Sequence, residues 1–281
     1  MIKSRKTRHR IQMAVTYFIL AIYVIVVLFP LYWVVLTSVR TPRQVYSPES
    51  MLVPNNPTLA NYVKLFSGTP MPSWILNSMI VTAVTTFGAL LIAIFAAYAL
   101  ARLKFRGAQT LGKSVLFMYL LPATLLYIPL FVQLNNMNIL NTRAALFLTY
   151  PTFLLPFITW LLFGYFKSLP EELEDAARID GCSRFGVLYR IVLPLAAPAI
   201  ITAAVFGITN AWNEFLYALV FIQSDTLWTL PIGIRSFQLA DTMLWGVTMS
   251  AAVLTTLPPI IVYMVMAKYV VGGLTGGAVK G

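Results

Sequence analysis

Long apolar stretches separated by short polar segments make up most of this chain. They lie at about 12–37, 75–101, 113–134, 144–166, 196–222 and 246–268. Each is long enough to cross a hydrocarbon core of roughly 30 Å, which takes about 20 apolar residues in an α-helix. The intervening segments, 40–73, 102–112, 135–143, 167–195 and 223–245, are rich in Pro, Asn, Gly and charge. The pattern predicts an all-α polytopic integral membrane protein with six transmembrane helices, forming a single transmembrane domain over 1–281. The first apolar run begins near Ile11 and reaches about Val39. That is too long for the core of a signal peptide, and no small-residue cleavage site follows, so it reads as a retained helix.

Composition strengthens this reading. Hydrophobic residues make up 59% of the chain and charged ones 10%, where a soluble protein carries about a quarter charged. The net charge of +11 raises the question of nucleic acid, and its distribution answers it. With six spans, one side of the membrane holds both termini and 15 of the 20 Lys and Arg, spread over a basic tail (1–11) and several short loops. That spread is a topology signal, which places both termini and the loop 167–195 in the cytoplasm and leaves no nucleic-acid surface. One cysteine, Cys182, and one histidine, His9, exclude an internal disulfide, a Cys/His metal site and a His-based catalytic dyad.

One motif points the wrong way. Residues 107–114 read GAQTLGKS, a formal match to a phosphate-binding loop. That motif needs a preceding strand and a soluble helix, whose backbone N–H groups converge on phosphate. Here it falls in a turn between two spans, with no acidic residue between Glu49 and Glu171. It is a chance match, and the chain carries no nucleotide site or other enzymatic equipment of its own.

The acidic residues are the exception to the chain's character. Of nine, five fall between 171 and 180: Glu171, Glu172, Glu174, Asp175 and Asp180. SLPE at 168–171 predicts a helix with Ser168 as N-cap and Glu171 at the capping-box position, and Gly181 is a natural stop. Leu169, Leu173, Ala176 and Ala177 fall on one side at helical spacing. A second short helix is expected from Ser183 to Tyr189. A folded acidic loop on an otherwise basic face suggests a docking element for a cytosolic protein.

The run DAARIDGCSRFGVLYRIVLP (175–194) resembles the EAA signature of permease subunits of bacterial ABC importers. That signature reads Glu-Ala-Ala, three residues, Gly, nine residues, Ile, one residue, Leu-Pro. Asp175, Ala176, Ala177, Gly181, Ile191, Leu193 and Pro194 match it, with Asp175 where Glu is usual. Glu174, one place earlier, and Asp180 join this set. ILNS (75–78), AWNEFLYAL (211–219) and GLTGGAVKG (273–281) extend the resemblance to maltose-type carbohydrate permeases.

The resemblance implies a second permease subunit and favours a different chain in that place, so a heterodimer is expected. It further implies an ABC ATPase dimer that carries ATP and Mg, and an extracytoplasmic sugar-binding protein. The loop at about 168–194 becomes the helix that couples to the ATPase in a bacterial inner membrane. The tail 270–281, with Gly276, Gly277 and Lys280, is expected to contact the ATPase.

Within the fifth stretch, TNAWNEF (209–215) sets Asn210, Trp212, Asn213 and Glu214 at membrane depth, where polar groups are costly and face protein or water. They are candidates for the sugar path, as is Asn77 from the second stretch. Inter-helix bonding is the competing explanation. A different class of function, a proton-coupled secondary transporter, would use Glu214 as its coupling carboxylate.

Overall fold

The computed structural model describes residues 5–46, 52–103, 105–237 and 244–275, without the side chains of 5, 6, 109 and 269–275. In chain order the α-helices are α1 (Arg5–Ser38), α2 (Pro42–Val45), α3 (Ala60–Gly68), α4 (Met71–Arg102) and α5 (Ala108–Leu120). Next come α6 (Tyr127–Asn136), α7 (Arg143–Thr149), α8 (Pro151–Ser168), α9 (Glu171–Ile179) and α10 (Arg184–Val187). A π-helical turn, Leu188–Val192, leads into α11 (Leu193–Leu195), α12 (Ala197–Asn213), α13 (Leu216–Phe221), α14 (Leu230–Ser236) and α15 (Trp245–Thr275).

Four of the six expected spans are helices long and apolar enough to cross a membrane: Thr7–Ser38, Met71–Arg102, Arg143–Ser168 and Trp245–Lys268. The other two are bent. Thr110–Leu120 meets Ala123–Asn136 at 91°, and Arg184–Leu195 meets Ala197–Asn213 at 76°. Proline explains both places, since it lacks an N–H and clashes with the preceding turn. Pro122 stands at the first bend, and Pro194 and Pro198 flank the second. The fifth stretch is broken again after Asn213, where Glu214 takes extended backbone angles.

By their contacts the residues group into two units. The first comprises Met1–Thr69 and Ser236–Thr255. In it α1 exposes apolar side chains along nearly its whole length, Ile11 to Leu31, a surface suited to lipid. The carbonyls at its C-terminal end are met by Asn61 of α3, whose amide donates to Ser38 O (2.8 Å) and Arg40 O (2.7 Å). Ser250 of α15 adds a bond to Ser38 O (3.2 Å). These bonds satisfy acceptors that a helix end otherwise leaves orphaned.

The second unit comprises Pro70–Arg235 and Thr256–Gly281. Its core is a seam of small against large residues. On α4, Thr82, Thr85, Thr86, Ala89, Ala93 and Ala97 are buried. On α12, Ala199, Ala203, Gly207 and Ala211 recur every fourth residue and are buried too. Leu154, Ile158, Leu162 and Phe166 of α8, also four apart and wholly buried, pack with these two helices. Small residues let membrane helices approach closely and gain van der Waals contact, the main attraction available between helices in lipid. A Cβ on Gly207 would stand 2.8 Å from Thr86 Cγ2, so glycine is required at this crossing.

At the end of α4 opposite Arg102, a loop is held by side chains. Trp74 Nε1 donates to Asp225 O (2.7 Å), and Leu230 N donates to Ser78 Oγ (2.8 Å). Asn141, whose φ of 58° suits asparagine better than most residues, accepts the N–H groups of Gln223 and Ser224. Behind Trp74 lies Gly233, where a Cβ would fall 2.2 Å from Trp74 Cε3. Trp74 is buried and tied by its N–H, so it cannot swing away. Gly233→Ala is therefore expected to destabilise the protein by about 1–3 kcal/mol, the usual cost of overpacking. A thermal melt in detergent at wild-type expression checks this, and an unchanged midpoint would contradict it.

Candidate functional site

Two polar features stand out in the second unit: the loop around α9 and a cavity beside the broken helices. In the loop, α9 gathers Glu171, Glu172 and Glu174 in its first turn, where the helix dipole favours negative charge. The helix does not begin as SLPE suggests. Ser168 ends α8 and donates to Tyr165 O (2.7 Å), and Pro170 takes the N-cap position without a side-chain cap. The C-terminal end does follow expectation. Gly181 sits at φ 85°, its N–H donates to Arg178 O (3.0 Å), and the N–H of Cys182 donates to Ala177 O (2.9 Å). This pair of bonds is the Schellman arrangement, which needs a left-handed residue at Gly181. Ser183 then caps α10 by accepting the N–H of Gly186 (3.2 Å). The expected second helix continues past Tyr189 through the π turn to Leu195.

The acids divide by direction. Glu174 is only 6% exposed. Its Oε1 accepts Arg102 Nε at 2.6 Å and its Oε2 accepts the Tyr98 hydroxyl at 3.0 Å. Arg102 also donates through Nη2 to Leu169 O (2.8 Å) and approaches Glu171 (3.6 Å). Glu174 therefore cannot serve as a docking acid: a buried carboxylate needs a partner, and it has two within the chain. Asp175 and Asp180 are exposed, and Asp175 pairs with Arg178 at 3.4 Å. The two alanines part company, Ala177 against the core and Ala176 facing out. Leu173, expected on the packed side, is instead half exposed, because Glu174 and Ala177 form the buried stripe. Ile191 and Leu193 pack on the core, while Pro194 is exposed.

Three apolar residues were not singled out by sequence reasoning. Ile179, Phe185 and Tyr189 are 86%, 75% and 76% exposed. The available signal was Ile179 standing between Arg178 and Asp180, off the apolar stripe of its own helix. Exposed large apolar side chains on a polar loop mark an interaction surface.

The cavity has a volume of about 830 Å³, within the size range of small-molecule sites. Its polar wall is Thr209, Asn210, Asn213 and Glu214 at the end of α12, with Tyr127, Thr152 and Tyr217 nearby. Phe153 and Phe206 are among its apolar lining. The Glu214 carboxylate accepts the N–H groups of Tyr217 (2.7 Å) and Ala218 (3.1 Å), which caps α13 across the break. The Tyr217 hydroxyl donates to Ala123 O (3.2 Å), beside the other bend, so the two breaks are held together around the cavity. Asn210 and Asn213 each donate to the carbonyl four residues back, at 2.9 and 2.8 Å, leaving their own carbonyl oxygens for the cavity.

Two expected path residues lie elsewhere. Trp212 is 4% exposed and is not part of the lining, because it falls on the packed side of α12 with Ala211. Asn77 is 1% exposed. Its Nδ2 donates to Thr226 O and Trp228 O, both at 2.9 Å, and its Oδ1 accepts Arg143 Nε at 2.8 Å. It holds the segment 226–228 and Arg143 instead of lining the cavity.

Comparison with known proteins places this geometry. Residues 89–275 match the family model for the binding-protein-dependent transport system inner membrane component. The chain belongs to that family of permeases. It is 39% identical over 254 residues to the sulfoquinovosyl glycerol transport system permease protein SmoH of Agrobacterium fabrum, covering 90% of this chain and 89% of that one. It is 37% identical over 261 residues to the trehalose/maltose transport system permease protein MalG of Thermococcus litoralis, covering 92% and 93%. In fold it is similar to a chain of a bacterial ABC transporter involved in the import of the acidic polysaccharide alginate, with a TM-score of 0.81 at 23% identity, covering 96% and 99%.

The permease is thus a membrane transport subunit, and the proton-coupled alternative built on Glu214 is not favoured. Its phosphate-loop look-alike is helical from Ala108 onward, so the N–H of Leu111 is already bonded to Gly107 O (2.9 Å), and Gly112 packs against Phe163. Among the described residues, no group of three or more His, Cys, Asp or Glu is placed to hold a metal ion. The proposed tail residues Gly276, Gly277 and Lys280 lie outside the described residues.

Proposed function

We propose that this permease forms half of the translocation pathway of an ATP-driven carbohydrate importer in a bacterial inner membrane, with both termini in the cytoplasm. The observation that carries this reading is the outward face of the α9–α10 loop. There Asp175, Ala176, Ile179, Phe185 and Tyr189 form an apolar and acidic surface that the chain itself leaves uncovered. Its partner is a cytosolic ABC ATPase dimer, which holds ATP and Mg. The second permease is a different chain, and a binding protein delivers solute from outside. The relatives' sugars support the substrate class, as does the cavity, where amide, hydroxyl and carboxylate acceptors alternate with aromatic rings. No Lys or Arg lines it, so this half of the path suits hydroxyl-rich solutes better than phosphate esters. Two rings bordering the cavity, Tyr127 and Tyr217, meet edge to face at 4.9 Å and offer an apolar face to a sugar.

The test is a mild-detergent pull-down of the tagged chain from its host, with ATPase activity assayed in the eluate. Co-purification of an ATPase and a second multi-span protein is expected. Ile179→Glu should weaken ATPase capture at least about tenfold, the scale of one well-buried interface residue, with expression unchanged. A chain that purifies alone and moves solute under a proton gradient would sink the proposal.

A further inference from the structure

Among the described long helices, only α4 is built to carry a push from end to end. The helices α1, α8 and α15 contain internal prolines at Pro30, Pro156 and Pro258–Pro259. The remaining two spans are bent by 91° and 76°. Helix α4 runs 32 residues with proline only in its first turn, about 48 Å at 1.5 Å per residue.

Both ends of α4 are clamped, and each clamp uses buried polar groups. At one end Arg102 bridges α9 through Glu174 (2.6 Å) and the end of α8 through Leu169 O (2.8 Å), while Tyr98 braces Glu174 from a turn earlier. At the other end Trp74, Asn77 and Ser78 make four hydrogen bonds of 2.7–2.9 Å to the segment 225–230. Between the clamps, the seam of Thr and Ala seats α4 against α8 and α12, closely enough that Gly207 admits no side chain. Close packing resists deformation, and buried hydrogen-bonded charges have no low-cost alternative arrangement.

We propose that α4 is the rigid link between the ATPase-facing helix α9 and the outer segment 225–230, with Arg102 and Asn77 as the positioning residues at its two ends. Movement of α9 then reaches the outer surface as a displacement of one rod. The proposal rests on the importer reading above and says which part of the permease carries the signal.

Linkage gives the test. If nucleotide at the ATPase changes the affinity of the outer binding protein by some factor, both ligands must share that factor. The full complex in nanodiscs is titrated with fluorescently labelled, sugar-loaded binding protein, with and without vanadate-trapped ATP. Arg102→Met and Asn77→Leu are each expected to bring the coupling factor to within about twofold of unity, the complex remaining intact. The double variant should be no worse than either single one, because two breaks in one rod act as one. Arg102→Lys, which keeps a positive donor for Glu174, should retain clearly more of the coupling than Arg102→Met.

Wild-type coupling in either single variant would overturn the proposal. So would a double variant whose loss is the product of the two single losses, because that marks independent routes. Loss of the ATPase from Arg102→Met would also overturn it, since the residue would then only build the docking helix. A wild-type chain that recruits no ATPase fails earlier and sinks the importer reading itself.

Discussion

Gly181→Val is expected to cut ATP-coupled transport by about tenfold or more, while Gly181→Asn leaves most of it. The reason is the backbone. At φ 85° an L-residue pays a steric penalty of roughly 1–2 kcal/mol, greatest for β-branched side chains and least for Asn. Nothing lies within 4 Å of the position a Cβ would take, so no clash confuses the comparison. Helix α9 has only nine residues, too few to hold itself together without its ends. Losing the turn frees the carbonyls of Ala177 and Arg178 and releases the direction of α10. A shift of about 1.4 kcal/mol is a factor of ten in population, so the penalty for Val is enough to empty the working geometry. Asp at this position, intermediate in tolerance, should fall between the two. The measurement is ATP-driven solute uptake in proteoliposomes at matched ATPase content. Equal activity of the Val and Asn variants would show that the left-handed turn does not matter.

The second large effect is expected at Glu214. Removing its carboxylate as Glu214→Ala strands the N–H groups of Tyr217 and Ala218 at a helix break in the membrane. Loss of a cap costs about 0.5–2 kcal/mol, and a buried unsatisfied donor about 1–3 kcal/mol. The break lines the cavity, so transport should fall by more than about tenfold and the detergent melting point should drop by several degrees. Glu214→Gln keeps an acceptor oxygen and should retain insertion and most of the stability. Uptake by the wild type should be unaffected when an uncoupler collapses the proton gradient with ATP supplied. Were Gln to abolish transport with the fold intact, and the uncoupler to stop the wild type, Glu214 would be carrying protons and not capping a helix.

The relation between sequence and structure differs from one residue to the next. Gly181 was legible because a left-handed stop after a short helix has few residue types that suit it. The six apolar stretches were legible because hydrocarbon thickness sets a length that composition must meet. Their breaks were harder to read. Prolines at 122, 194 and 198 are visible in the sequence, but proline in a membrane helix either kinks or is accommodated, depending on which neighbours satisfy the freed backbone groups. Here Tyr217, nearly a hundred residues away in the chain, donates to the carbonyl of Ala123 beside the bend.

Glu174 shows the same division more sharply. Its neighbours Glu172 and Asp175 are chemically alike, and helical spacing alone put Leu173, not Glu174, on the packed side. Arg102 and Tyr98, about seventy residues earlier, decide the matter by offering Glu174 a charge and a hydroxyl in a buried place. Asn77 and Asn210 likewise look equivalent as polar residues at membrane depth. The first faces the loop 226–228 and Arg143, and the second faces the cavity.

The sequence by itself determined that this is an all-α membrane permease with a short acidic helix, because chain-local quantities suffice for that: apolar run length, charge spacing, and an ordered signature from Asp175 to Pro194. Only the tertiary structure decided which acid is buried, which helix runs unbroken between two clamps, and which polar residues border the cavity. Those outcomes depend on partners distant in the chain, and an ion pair or a hydrogen bond in a membrane protein is settled by what stands opposite, which no local pattern records.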